Sequence, residues 1–118
     1  MSDLKVVGFA GSLRKNSLNR LLLRSAIDLA PPGMTIAELD IQDIPLFNAD
    51  LEEDGTPESV LSFKRQIESA DGLLVVSPEY NWGIPAVTKN IIDWCSRRVS
   101  NPANVLMNKP VSIMSIGA

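Results

Sequence analysis

Three times along the chain, a short apolar run is followed by a stretch with helical spacing, and this alternation constrains the fold more than any other feature. The expected strands are residues 4–10 (LKVVGFA), 35–39, 73–76 (LLVV) and 111–116. Runs that are apolar along their length, rather than alternating, belong in a sheet covered on both faces. Strands separated by helices pair in parallel, because a parallel connection needs a crossover. Ligands of such sheets bind beyond the carboxyl ends of the strands, where strand order reverses. The loops at residues 11–17, 77–85 and 115–118 all leave the sheet at that end, so three distant segments are expected to meet at one crevice.

The helices have legible boundaries. Leu18, Leu21 or Leu22, Ser25 or Ala26, and Leu29 set the inner stripe of the first, with Asn16 or Ser17 as N-cap and Pro31-Pro32-Gly33 as stop. Thr56-Pro57-Glu58 opens a second, with Thr56 as cap, proline at the first helical position and Val60, Phe63 or Lys64, and Ile67 inside. A third runs from about residue 86 to 98, with Val87, Ile91 and Trp94 or Cys95 inward. Residues 40–55 read as a long loop whose acids Glu52, Glu53 and Asp54 form a solvated tip. The whole of 1–118 reads as a single domain.

Composition removes several classes of chemistry. The chain has no histidine, so Ser-His-Asp, Cys-His and histidine-zinc mechanisms are excluded. Its single cysteine, Cys95, allows neither an internal disulfide nor a multi-cysteine metal site, and reads as a small buried hydrophobe. No metal ligands are expected. A net charge of -3 argues against nucleic acid as a partner. No apolar run suits a membrane, and the N-terminus lacks the order of a signal peptide, so a cytoplasmic location is expected.

Two loops carry the chemistry. GSLRKNSLNRLLL (residues 11–23) leaves a strand and enters a helix, but has neither the G-x-G-x-x-G dinucleotide fingerprint nor a P-loop. It offers hydroxyls and an amide on Ser12, Ser17 and Asn19, free backbone N–H groups, and the planar cation of Arg14, which together suit an anion. The alternative is that Asn16 and Ser17 only cap the helix while Arg14 is solvated. The second loop, SPEYNWGIP (residues 77–85), brackets an acid, two aromatics and an amide between prolines, which suits a flat ring system with a polar edge. There the alternative is that Tyr80 and Trp82 plug the sheet end or form a subunit contact.

The pairing of GSLRKNSLNRLL with SPEYNWGIPAVTKNIIDW, followed by KPVSIMSIGA, resembles the NADPH-dependent FMN reductase family, flavodoxin-like enzymes that include quinone, azo-dye and chromate reductases. The resemblance implies an α/β fold: a flavodoxin-like doubly wound parallel sheet, strand order 2-1-3-4, helices on both faces. It assigns Ser12, Arg14, Ser17 and Asn19 to the FMN phosphate and counts Leu18 among the cofactor-binding residues. Pro78, Glu79, Tyr80, Asn81 and Trp82 go to the ribityl chain and ring, and Gly117 to a third loop near the ring. No protein side chain is catalytic in that scheme. Hydride passes from NADPH to flavin N5 and on to a quinone, azo compound, free flavin or similar acceptor. The third helix, with Lys89, Asn90, Asp93 and Trp94, helps build the family's subunit interface, implying a homodimer or homotetramer.

Family members continue with a further loop, a helix, a fifth strand and a closing helix, so the chain reads as C-terminally truncated with the fifth strand and last helices missing. The fourth strand then becomes an apolar edge, which predicts self-association or exchange of elements and a weak hold on FMN. Two other functions remain open on the sequence: a flavodoxin-like electron carrier, and a non-catalytic fragment that binds no flavin.

Overall fold

The computed structural model describes residues 3–117. Strands β1 (Leu4–Ala10), β2 (Met34–Glu38), β3 (Gly72–Val76) and β4 (Val111–Met114) form one sheet in the order β2-β1-β3-β4. All three pairings are parallel, with Val6 opposite both Ile36 and Gly72, and Val76 opposite Met114. The expected fold and strand order are therefore the observed ones. The chain moves from β1 outward to β2, then returns past β1 to β3 and β4. Strand order thus reverses between β1 and β3, and the crevice opens above their carboxyl ends.

Alternate residues of each strand face opposite layers, as the two-residue period of a strand requires. On one side Val7, Phe9, Leu73 and Val75 meet Phe63 and Ile67 of α3 (Glu58–Glu68) and Ile91 and Cys95 of α4 (Ala86–Cys95). Phe9 and Phe63 pack edge to face, their centroids 5.9 Å apart. On the other side Ala10, Leu74 and Val76 bury Leu23 of α1 (Leu18–Asp28), with Leu22, Ala26 and Ile27 packed around it.

That packing keeps Leu22 and Ala26 of the stripe expected for α1 and corrects the rest. Leu18, Leu21 and Leu29 are exposed, and beside Leu22 and Ala26 the helix buries Asn19, Leu23 and, in part, Ile27. Either face of LNRLLLRSAI is apolar enough to be read as the inner one. A buried bond made by Asn19, described below, is part of what fixes the observed rotation.

Four boundaries also move. The segment 40–55 contains a short helix, α2 (Ala49–Glu53), capped by the Asn48 side chain accepting from the Asp50 amide. Thr56 does not cap α3: Pro57 occupies that place, with no side-chain cap bond. The third expected helix ends at Cys95 rather than near 98, because the Lys64 ammonium takes the Arg97 carbonyl (3.0 Å) and the Cys95 carbonyl accepts from Val105 (3.1 Å). β4 stops at Met114, whose carbonyl accepts from Ser77 (3.0 Å), two residues short of expectation. β4 is an edge strand among the described residues, and Val111 and Ile113 on it are exposed.

Candidate functional site

The first loop leaves β1 at Gly11, whose N–H donates to the Val76 carbonyl (2.8 Å) and so extends the β1–β3 ladder by one bond. The next residues fold on themselves. Ser12 Oγ accepts from the Arg14 N–H (3.2 Å), and the Arg14 carbonyl accepts from the Ser17 N–H (3.2 Å). Ser17 is the N-cap of α1: its Oγ accepts from the amides of Asn19 (3.2 Å) and Arg20 (3.4 Å). These contacts use the hydroxyl oxygens as acceptors and leave the hydroxyl protons of Ser12 and Ser17 to donate. The Arg14 side chain is exposed and has no carboxylate partner among the described residues, whereas Arg20 and Arg24 are both drawn to Glu38. Capping α1 therefore leaves the Ser12 and Ser17 hydroxyl protons and the Arg14 guanidinium free of bonds among the described residues.

The second loop is held at its root by a buried pair of hydroxyls, Ser77 Oγ and Thr88 Oγ1, 2.8 Å apart, which joins the end of β3 to the first turn of α4. At its tip Tyr80 and Gly83 exchange two backbone bonds (2.8 and 3.0 Å) around Asn81 and Trp82. Both central residues are left-handed, φ 51° and 66°, the handedness of a tight hairpin turn of type I′. Trp82 carries this backbone without being glycine and is 94% exposed.

The third loop, Ser115, Ile116 and Gly117, is tied to α1. Asn19 Nδ2 donates to the Ile116 carbonyl (3.1 Å) and Asn19 Oδ1 accepts from the Ile116 N–H (3.2 Å). The three loops then line one open crevice of about 520 Å³. From the first come Ser12, Arg14, Ser17, Leu18 and Asn19; from the second, Pro78, Glu79 and Tyr80; from the third, Gly117 with Ser115 and Ile116. The volume falls in the range of small-molecule sites. Asn81 and Trp82, expected beside them, are not part of the lining. Ala118, expected in the third loop, lies outside the described residues. Ser115 and Ile116 fall where the expected fourth strand and the expected third loop overlap, and the structure gives them to the loop.

The remaining distinctive groups sit elsewhere. Asn90 and Trp94 of α4 face inward and clip the chain at Pro45 to Phe47. Asn90 Oδ1 accepts from the Phe47 N–H (2.7 Å), and Asn90 Nδ2 and Trp94 Nε1 both donate to the Pro45 carbonyl (2.9 and 2.7 Å). Trp94 also packs edge-on against Phe47 at 4.9 Å. Lys64 is fully buried, donating to the Arg97 carbonyl and to Ser100 Oγ (2.7 Å), and burial pushes its pKa below the ordinary value. Burial pushes the Cys95 thiol up to about 12, with Lys64 opposing. Cys95 is therefore a neutral packing residue, as its type suggested.

Glu52 corrects the reading of a solvated acidic tip. Its carboxylate is bound by both arms of Arg97 (2.7 and 2.8 Å), and the Arg97 guanidinium lies over the Phe47 ring at 4.9 Å. The hydrogen bonds to Arg97 hold the Glu52 carboxyl below the ordinary glutamate range, against an opposing push from burial. A depressed carboxyl pKa adds stability above the unfolded value and loses it as pH falls through the folded one. Stability is thus expected to drop below about pH 4.3. Arg97→Met should flatten this acid limb, which urea midpoints near neutral pH and in acid would show as a smaller difference than in the parent chain.

A doubly wound parallel sheet with a hydroxyl- and arginine-lined crevice at its switch point defines a flavodoxin-like domain. The chain belongs to the NADPH-dependent FMN reductase family, whose match runs over residues 4–118. It is 46% identical over 116 residues to an NAD(P)H-dependent FMN reductase of Pseudomonas aeruginosa, covering 98% of this chain and 61% of that protein. It is 44% identical over 114 residues to a quinone reductase of Escherichia coli, covering 95% and 59%. Among solved structures, the flavoenzyme NAD(P)H:(acceptor) oxidoreductase of Paracoccus denitrificans superposes with a TM-score of 0.85 at 38% identity, over 95% of this chain and 60% of that one. The chain spans about three fifths of the length of these relatives. No helix among the described residues is long and apolar enough to cross a membrane.

Proposed function

We propose that the crevice binds FMN and that the protein is an oxidoreductase carrying reducing equivalents from NADPH to a small acceptor such as a quinone. The observation that carries this reading is the convergence of three distant segments on one crevice, with two hydroxyls and a guanidinium that has no carboxylate partner among the described residues at its α1 end. That end suits a phosphate: Arg14 supplies a planar fork, Ser12 and Ser17 supply hydroxyl protons, and the dipole of α1 favours negative charge. The rest of the lining, Pro78, Glu79 and Tyr80 with residues 115–117, suits a flat ring. When bound, FMN supplies the redox chemistry, accepting hydride from the nicotinamide and passing electrons to the acceptor. The chain's own residues hold the phosphate, set the tilt of the ring and leave one side of the crevice open. None needs to move a proton, which agrees with a chain that has no histidine.

The names of the Pseudomonas and Escherichia relatives support the same reading. The test is a visible spectrum. Protein loaded with FMN and kept without oxygen should lose its yellow absorbance when NADPH is added, and regain it on addition of a naphthoquinone. A protein that takes up FMN but does not bleach with NADPH is an electron carrier instead, and one that takes up no flavin overturns the proposal.

A further inference from the structure

We infer that Asn19 is a positioning residue, which holds the third loop of the crevice in place and does not itself grip the phosphate. This rests on the flavin reading of the crevice, although half of its test does not. Asn19 is 4% exposed, and its amide meets a single residue, Ile116, through both of its polar atoms. The N–H and C=O of one residue in extended backbone point the same way, so a side-chain amide can pair with both as a neighbouring strand would. Here that pairing begins where the real ladder ends: Met114 makes the last bond to β3, and the backbone groups of Ile116 have no other partner among the described residues. Without Asn19 the third loop hangs from β4 by Ser115 alone.

The contact also couples the two ends of the crevice. Ser17 Oγ, at the anion end, accepts from the Asn19 N–H, and the Asn19 side chain carries the connection on to Ile116, 97 residues later. An ordered phosphate end and an ordered ring end therefore share one buried amide. A second Nδ2 hydrogen remains, so a direct phosphate contact is the competing account.

The test uses Asn19→Ala and Asn19→Leu, the latter keeping most of the buried volume. In flavin-free protein, exchange of the Ile116 amide is expected to quicken by about tenfold, the loss of two hydrogen bonds, while the Leu23 amide in the core of α1 keeps its protection. A role limited to general stability would speed both. With flavin added, affinity for FMN and for riboflavin, which has no phosphate, should fall by the same factor, again about tenfold. Unchanged exchange at Ile116, equal acceleration at Leu23, or a loss confined to FMN would each overturn the inference. If the parent chain binds neither flavin, the functional reading fails while the exchange result still decides the role of Asn19.

Discussion

Replacing Arg14 with alanine is expected to weaken FMN binding by about ten- to a hundredfold while leaving riboflavin binding unchanged. The estimate follows from about 1.5–3 kcal/mol for hydrogen bonds to a charged group, with each 1.4 kcal/mol a factor of ten. The loop should survive the change, because its shape comes from the main chain: the Arg14 N–H and C=O bond Ser12 and Ser17, while the side chain is exposed. Arg14→Lys keeps the charge and loses the planar fork, so it should fall between the two. Fluorescence titration with both flavins measures this. The contrast with Asn19, whose loss should reach both flavins equally, separates a residue that holds the phosphate from one that holds the loop. Equal losses for FMN and riboflavin in Arg14→Ala would mean that the phosphate lies elsewhere.

Gly11→Ala is expected to cost about 3 kcal/mol of stability, the upper end of what overpacking a core usually costs. A methyl group at Gly11 would lie 2.0 Å from Thr88 Oγ1 and 2.8 Å from Ser77 Oγ. Those two hydroxyls are bonded to each other in the interior, so neither turns aside without leaving a buried polar group unpaired. The alternative is for α4 to swing away from the end of β1, which opens the root of the second loop. Urea unfolding should show the loss, and the double variant Gly11→Ala/Thr88→Ala should recover part of it. A cost below about 1 kcal/mol would show that the β1–α4 approach is looser than its geometry. The first two loops and α4 meet at this point, so its closeness is what brings Arg14 and Tyr80 to one crevice.

Particular residues show what the sequence could and could not reveal. The strand 4–10 was legible in full, because an unbroken apolar run ending in glycine has few other readings. Ser12, Arg14 and Tyr80 were legible as neighbours because a parallel sheet sends its loops to one end. Lys64 was open as an inner residue from helical spacing, but its buried partners, the Arg97 carbonyl and Ser100, lie more than thirty residues away. The stripe of α1 was legible only in part: Leu22 and Ala26 were open as inner residues, but helical spacing does not register that Asn19 has a partner at Ile116 and so puts Leu18 and Leu29 inward. The helix at 49–53 went unseen because its polar sequence has no inner stripe. The bond from Glu52 to Arg97 went unseen because an ion pair between distant segments leaves no periodic mark. Local pattern sets the elements, and contacts between remote residues set their rotation and their ends.

The parallel sheet also imposes an order of events on the growing chain. β1 is synthesised before both of its neighbours and ends up as an interior strand, flanked by β2 at Met34–Glu38 and by β3 at Gly72–Val76. Its second neighbour therefore does not exist until some sixty-odd residues more have been made, and pairings so far apart in sequence form slowly. Throughout that wait the β3-side edge of LKVVGFA is unpaired and open to another chain emerging nearby. The hazard in making this sheet thus falls on β1, and it ends only when β3 arrives.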